Sequence, residues 1–114
     1  MPLLTGAQAL VQCLREEDVE FIFGVPGGQT LSVMDVLFTT PAIRFVTARH
    51  EGAAGHMADA YGRVTGKPGL CLVTTGPGAT NLLTGIGGAL RDSSPVIAIT
   101  VNNRDVNIGW DDNQ

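Results

Sequence analysis

The sequence is short of positive charge, short of cysteine and without any long apolar run, and each shortage removes a class of function. Seven Lys and Arg stand against eleven Asp and Glu, for a net charge of −4. No basic footprint for phosphate backbones or anionic lipids follows from that balance, so nucleic-acid binding is not expected. No stretch reaches the ~18 apolar residues of a membrane span, and the N-terminal MPLLTGAQALVQ lacks a basic start. Neither insertion nor secretion is indicated, and a cytoplasmic address is expected. The two cysteines, Cys13 in a helical pattern and Cys71 in an apolar strand run, lack the close pairing of metal or redox motifs. Both read as reduced core residues. Internal repeats and low-complexity tracts are absent.

What is present is an ordinary globular composition: 114 residues, 44% of them hydrophobic, enough for one domain around one core. Thr5 and Gln8 form a capping-box pattern, and Ala7, Leu10, Val11 and Leu14 recur at helical spacing, predicting a helix over residues 6–17. Phe21-Ile22-Phe23 reads as a strand running into the breaker cluster Gly24-Val25-Pro26-Gly27-Gly28. A helix follows over residues 30–38, then a strand over residues 43–46 after Pro41. Ala54, Met57, Ala58 and Tyr61 mark the buried stripe of a helix over residues 51–64, stopped by Gly66-Lys67-Pro68-Gly69. Residues 70–73 and 96–99 are unbroken apolar runs, as expected of central parallel strands covered on both faces, and Ala79, Leu82, Leu83, Ile86 and Leu90 make a helix between them.

The alternation of helices and strands predicts an α/β fold, a doubly wound parallel sheet with helices on both faces, in three α/β/α layers with right-handed crossovers. Residues 102–114 read as a polar loop or tail, and a chain that stops so soon after a strand reads as a truncated domain.

In such a sheet, ligands gather outside the carboxyl ends of the strands. Three turns fall there: Val-Pro-Gly-Gly after the first strand, Arg49-His50-Glu51 after the second, and Thr74-Thr75-Gly76-Pro77-Gly78-Ala79-Thr80-Asn81 after the third. The glycines let backbone approach a ligand closely, and Thr74, Thr75, Thr80 and Asn81 can cap a helix or donate hydrogen bonds. Taken singly, each turn is ordinary turn chemistry, and Glu51 is a first-turn acid at the positive end of a helix dipole. The helix start near Ala79 is also able to hold a phosphate, which leaves a non-catalytic nucleotide-binding or assembly module as the alternative. Against nucleotides, GPGATN has neither the G-x-G-x-x-G spacing nor the Lys-Ser/Thr ending of a P-loop.

Together and in this order, GVPGG, RHEGAAGHMADAYGRVTGKPG, LVTTGPGATNLLTGI and RDSSPVIAIT resemble the pyrimidine-binding domain of thiamine diphosphate-dependent enzymes of the acetolactate synthase and pyruvate oxidase type, over roughly residues 4–101. The resemblance implies that residues 1–101 are an incomplete pyrimidine-binding domain, the N-terminal part of a 2-oxo acid carboligase or decarboxylase resembling the acetolactate synthase large subunit. Glu51 matches the glutamate that hydrogen-bonds the aminopyrimidine ring nitrogen and so activates the cofactor. Desolvation against an apolar ring would hold the shared proton there. Val25 and Pro26 match positions lining the pyrimidine, and Thr74, Pro77 and Asn81 match those touching it from the other side. Gly27, Gly28 and Gln114 match positions near the substrate. His50 reads either as part of the site or as a structural histidine, and His56 as partner-facing or solvated.

The resemblance also implies what lies elsewhere. The family holds the diphosphate through Mg²⁺ on a separate domain with a Gly-Asp-Gly segment, which is missing here, and Asp111-Asp112 is no substitute. No metal ligand is therefore assigned, and only the pyrimidine half of the cofactor is expected on this chain. The site should form against the diphosphate domain of a partner subunit in a homo-oligomer. The chain alone should be inactive, with an apolar, glycine-rich face around residues 52–61 and 77–89. Decarboxylases of the family carry histidines where this chain has Ser93 and its polar tail, so carboligation is preferred. Acetolactate synthases place an aromatic residue where Asn113 precedes Gln114, and flavin binding stays open.

Overall fold

Thr5 opens the first helix, α1 (Gly6–Glu16), through the reciprocal cap that the sequence announces. Its hydroxyl accepts from the Gln8 amide at 3.2 Å, and the Gln8 side chain accepts from the Thr5 amide at 2.8 Å. These satisfy two of the amides that a helix start leaves orphaned. The computed structural model describes residues 3–103. After α1 come β1 (Phe21–Val25), a 3₁₀ turn (Gly28–Thr30), α2 (Leu31–Phe38), β2 (Arg44–Thr47), α3 (Glu51–Thr65), β3 (Gly69–Val73), α4 (Pro77–Arg91) and β4 (Val96–Thr100).

The four strands form one parallel sheet in the order β2-β1-β3-β4. Side chains alternate across each strand, so β1 sends Ile22 to one face and Phe23 to the other, and β3 divides Leu70 and Leu72 from Cys71 and Val73. On the first face, α1 and α2 bring Val11, Val33 and Leu37 onto Ile22, Leu70 and Leu72. On the second, α3 and α4 bring Ala58 and Leu82 onto Cys71 and Val73. The three-layer, doubly wound α/β arrangement is thereby present. The chain moves one way along the sheet from β1 to β2 through α2, and the other way from β2 to β3 and β4 through α3 and α4. Crossovers of one hand require the change of face that accompanies this change of direction.

Several expectations are corrected. Cys13 lies on the exposed side of α1, while Cys71 is buried and its thiol is pushed up to about 12 by desolvation. Met57, expected in the buried stripe of α3, is 39% exposed, because α3 meets the sheet and α4 through Gly52, Ala54, Gly55, Ala58, Asp59 and Gly62. Leu83 and Leu90 likewise point away from the core at 62% and 78% exposure. The glycine-rich stretches are thus partly consumed in packing α3 on α4, and only their outer sides are open. The β4 strand, expected to be covered on both faces, is the last in the described sheet, and Ile97 and Ala98 are exposed. The fourth helix begins at Pro77, ahead of Ala79, because a proline at the first helical position lacks only an amide that would have had no partner. Of the expected polar tail, Asn102 and Asn103 have no regular structure, and residues 104–114 lie outside the described residues.

Candidate functional site

Parallel pairing places the carboxyl ends of β1, β2 and β3 on one edge, so the three glycine-bearing turns converge as expected. Leaving that edge, β1 feeds a helix on one face, while the neighbouring β3 feeds a helix on the other. The crevice between their ends is therefore the topological switch point of the sheet.

The β1 turn is held by Thr30, which is fully buried. Its hydroxyl accepts from the Gly27 amide at 2.9 Å and donates to the Gly27 carbonyl at 2.8 Å. A methyl group on Gly27 would lie 2.5 Å from Thr74 Cβ, so only glycine allows the β1 and β3 turns to touch here. Beyond Thr74, Gly76 adopts φ 57° and ψ −118°, a conformation that side-chain-bearing residues avoid, and turns the chain into Pro77 at the start of α4. Gly78, the next residue, would carry a methyl group 2.8 Å from Thr74 Cγ2 and 3.8 Å from Glu51 Oε1.

Glu51 is the first residue of α3. His50, in extended conformation, caps the helix by accepting from the Gly52 amide on Nδ1 at 3.0 Å. His50 thus has a structural role as the cap of α3, immediately before Glu51. Asn81, on the second turn of α4, donates Nδ2 to Glu51 Oε2 at 3.1 Å. Among the described residues, Oε1 takes no hydrogen bond. The half-buried carboxylate therefore sits at the positive end of α3 with one oxygen oriented and the other available.

The structure brings Glu51, Asn81 and Gly78 together, and Gly27 with Thr74. Val25 lies opposite Val73 in the β1–β3 pairing, half-buried. Pro26, Gly28 and Pro77 are exposed on the rim, His56 is exposed, and Gln114 lies outside the described residues. One residue absent from the expected site is Gln29, whose side chain accepts from the Thr74 hydroxyl at 2.9 Å and donates to Asn103 Oδ1 at 3.0 Å. No periodicity or motif marks it, since both partners are distant in the chain.

The donor set suits a flat heteroaromatic ring. A carboxylate with one oxygen engaged is what a ring nitrogen needs as a proton partner, and Gly27 and Gly78 let the Thr74 side chain pack close beside it. Among the described residues no group of three His, Cys, Asp or Glu is placed to hold a metal ion.

Comparison with known proteins supplies the family. Residues 4–112 match the family model of the thiamine pyrophosphate enzyme, N-terminal TPP binding domain. The chain is 56% identical over 97 residues to an acetolactate synthase of Mycobacterium leprae (strain TN), covering 85% of this chain and 16% of that protein. To the acetolactate synthase large subunit of Haemophilus influenzae it is 52% identical over 100 residues, 88% of this chain and 18% of that one. To that of Buchnera aphidicola subsp. Acyrthosiphon pisum it is 47% identical over 111 residues, 97% of this chain and 19% of that one. The chain thus spans under a fifth of the length of these curated relatives. With its doubly wound fold and this match over nearly its whole length, the chain belongs to the thiamine pyrophosphate enzymes, as their N-terminal TPP-binding domain.

Proposed function

We propose that this chain provides the pyrimidine-binding half of the active site of a thiamine diphosphate-dependent carboligase of the acetolactate synthase type, acting on small 2-oxo acids. The observation that carries the reading is Glu51, seated at the start of α3 with one carboxylate oxygen held by Asn81, beside the turns that follow β1 and β3. Bound thiamine diphosphate supplies a thiazolium carbon acidic enough to be deprotonated and to add to a keto group.

The chain's own residues set up that chemistry. Glu51 Oε1 holds a proton at the aminopyrimidine ring nitrogen, while Asn81 fixes the other oxygen so that the carboxylate cannot turn away. Val25 and Pro26 bound the ring on the β1 side, and Thr74, Pro77 and Asn81 bound it on the β3 side. Gly27 and Gly28 leave room toward the substrate. Mg²⁺ and the diphosphate belong to a different domain, contributed by a partner subunit of a homo-oligomer in the cytoplasm. The exposed Met57, Val64, Leu83 and Leu90 on the outer sides of α3 and α4 support such a covered surface.

The test is Glu51→Gln in the full-length protein, read as deuterium exchange at the thiazolium carbon. Loss of a placed acid–base group is expected to slow exchange by about 10² to 10⁴. An undiminished rate refutes the assignment. Calorimetric binding of adenine nucleotides in place of thiamine diphosphate would favour the nucleotide-binding or assembly alternative instead.

A further inference from the structure

Gln29 occupies the middle of the 3₁₀ turn after β1, where the buried Thr30 locks the backbone through both hydrogen bonds to Gly27. Its half-buried amide spans two other strand exits. Oε1 receives the Thr74 hydroxyl at 2.9 Å, from the β3 turn, and Nε2 donates to Asn103 Oδ1 at 3.0 Å, from the chain beyond β4. Asn103 is tied in turn by its own amide to Asn102 Oδ1 at 2.9 Å. One side chain therefore joins the ends of three of the four strands across the crevice.

We infer that Gln29 is a positioning residue: it braces the segment Val101–Asn103 against the crevice and holds the Thr74 hydroxyl so that its lone pairs face the bound pyrimidine. The chemistry follows from donor counting. A threonine hydroxyl has one proton, and when Gln29 takes it, only acceptor capacity is left to meet an N–H of an aminopyrimidine. A rigidly held acceptor loses less entropy on binding than a free rotor. The part of the inference that concerns Thr74 rests on the cofactor reading above, whereas the brace itself does not.

The test uses the full-length protein with Gln29→Ala and, as the conservative variant, Gln29→Glu. The glutamate keeps an acceptor for Thr74, and Asn103 can reverse its amide to donate to it. Amide hydrogen exchange in the unliganded protein and calorimetric binding of thiamine diphosphate are the two readouts. With Gln29→Ala, exchange over residues 101–103 and 75–76 is expected to rise at least about fivefold, and the Kd to rise by about five- to tenfold, the scale of one or two hydrogen bonds. Gln29→Glu should restore both, and the thermal midpoint should stay within about 2 °C of wild type. Unchanged exchange, unchanged affinity, or faster exchange across the whole sheet with a lowered midpoint would each overturn the inference. Wild-type protein that binds no thiamine diphosphate would sink the cofactor reading instead, and the exchange comparison would still decide the brace.

Discussion

The two faces of the sheet are packed by opposite means. Under α1 and α2 lie large aliphatic side chains, Val11, Ile22, Val33, Leu37, Ile43, Leu70 and Leu72. Under and between α3 and α4 the helices bury mostly small ones, Gly52, Ala54, Gly55, Ala58, Gly62, Gly78, Gly85 and Ala89, with Leu82 the large aliphatic side chain among them. A methyl group on Gly85 would stand 2.6 Å from Gly55 Cα, so the two helices meet backbone to backbone. The first face gains stability from apolar area removed from water, the second from close approach. Close approach also serves the site, because it carries Asn81 of α4 within hydrogen-bonding distance of Glu51 at the head of α3.

This contrast can be broken from either side. The largest effect should come from truncation on the first face: Leu70→Ala is expected to cost about 2–5 kcal/mol in denaturant unfolding, by lost transfer energy and a residual cavity. A cost under about 1 kcal/mol would mean that the face is loosely packed. On the second face the sign of the size change reverses. Gly85→Ala gains ~1 kcal/mol of helix propensity but drives its methyl into the backbone of α3, and overpacking of this kind costs about 1–3 kcal/mol. A net loss of up to about 2 kcal/mol is expected. Gly87→Ala, two residues on with nothing within 4 Å, should keep the propensity gain and stabilise by up to ~1 kcal/mol. A destabilising Gly87→Ala would indicate instead that another part of the assembly covers this side.

The smallest effect is a pH dependence confined to the second face. Arg63 grips Asp59 one turn below, Nε to Oδ1 at 2.8 Å and a second nitrogen to Oδ2 at 3.0 Å, and also reaches Asp92 beyond α4 at 2.7 Å. The Arg63 guanidinium, with the Ser94 hydroxyl second, holds the Asp59 carboxyl below its ordinary value of 3.8. A group whose pKa is lowered by folding contributes fully above its unfolded value and less as pH falls through the folded one. Stability should therefore be flat in this contribution above about pH 4 and decline below it. Asp59→Asn should weaken that decline, read as thermal midpoint against pH. An identical acid profile in the variant would show that the ion pair is not coupled to folding.

Local signals were faithful where the cause was local. The Thr5 capping box, the proline and glycine stops, and the start of α3 at Glu51 all depend on residues within one turn of each other, and all appear as expected. So does the convergence of the three turns, which follows from parallel pairing alone. Burial was less legible on the second face: Met57, Leu83 and Leu90 look like core by spacing and residue type. Whether an apolar residue is buried depends on what sits opposite, and here glycines bring α4 so near α3 that the contact runs along a different line of residues. The exposed Cys13 is a similar case, an apolar residue beyond the reach of the α2 contact.

By itself, then, the amino-acid order determined the succession of elements, the parallel sheet and the acid at a helix head beside glycine turns, because hydrophobic period and turn chemistry act over a few residues. Only the tertiary structure decided that Asn81 steadies Glu51 across 30 residues, that Gln29 spans 45 and 74 residues to Thr74 and Asn103, and that Gly55 and Gly85 are contact points, not turns. Hydrogen bonds and close approaches between distant segments depend on how helices are set against a sheet, and no repeat along the chain records that distance.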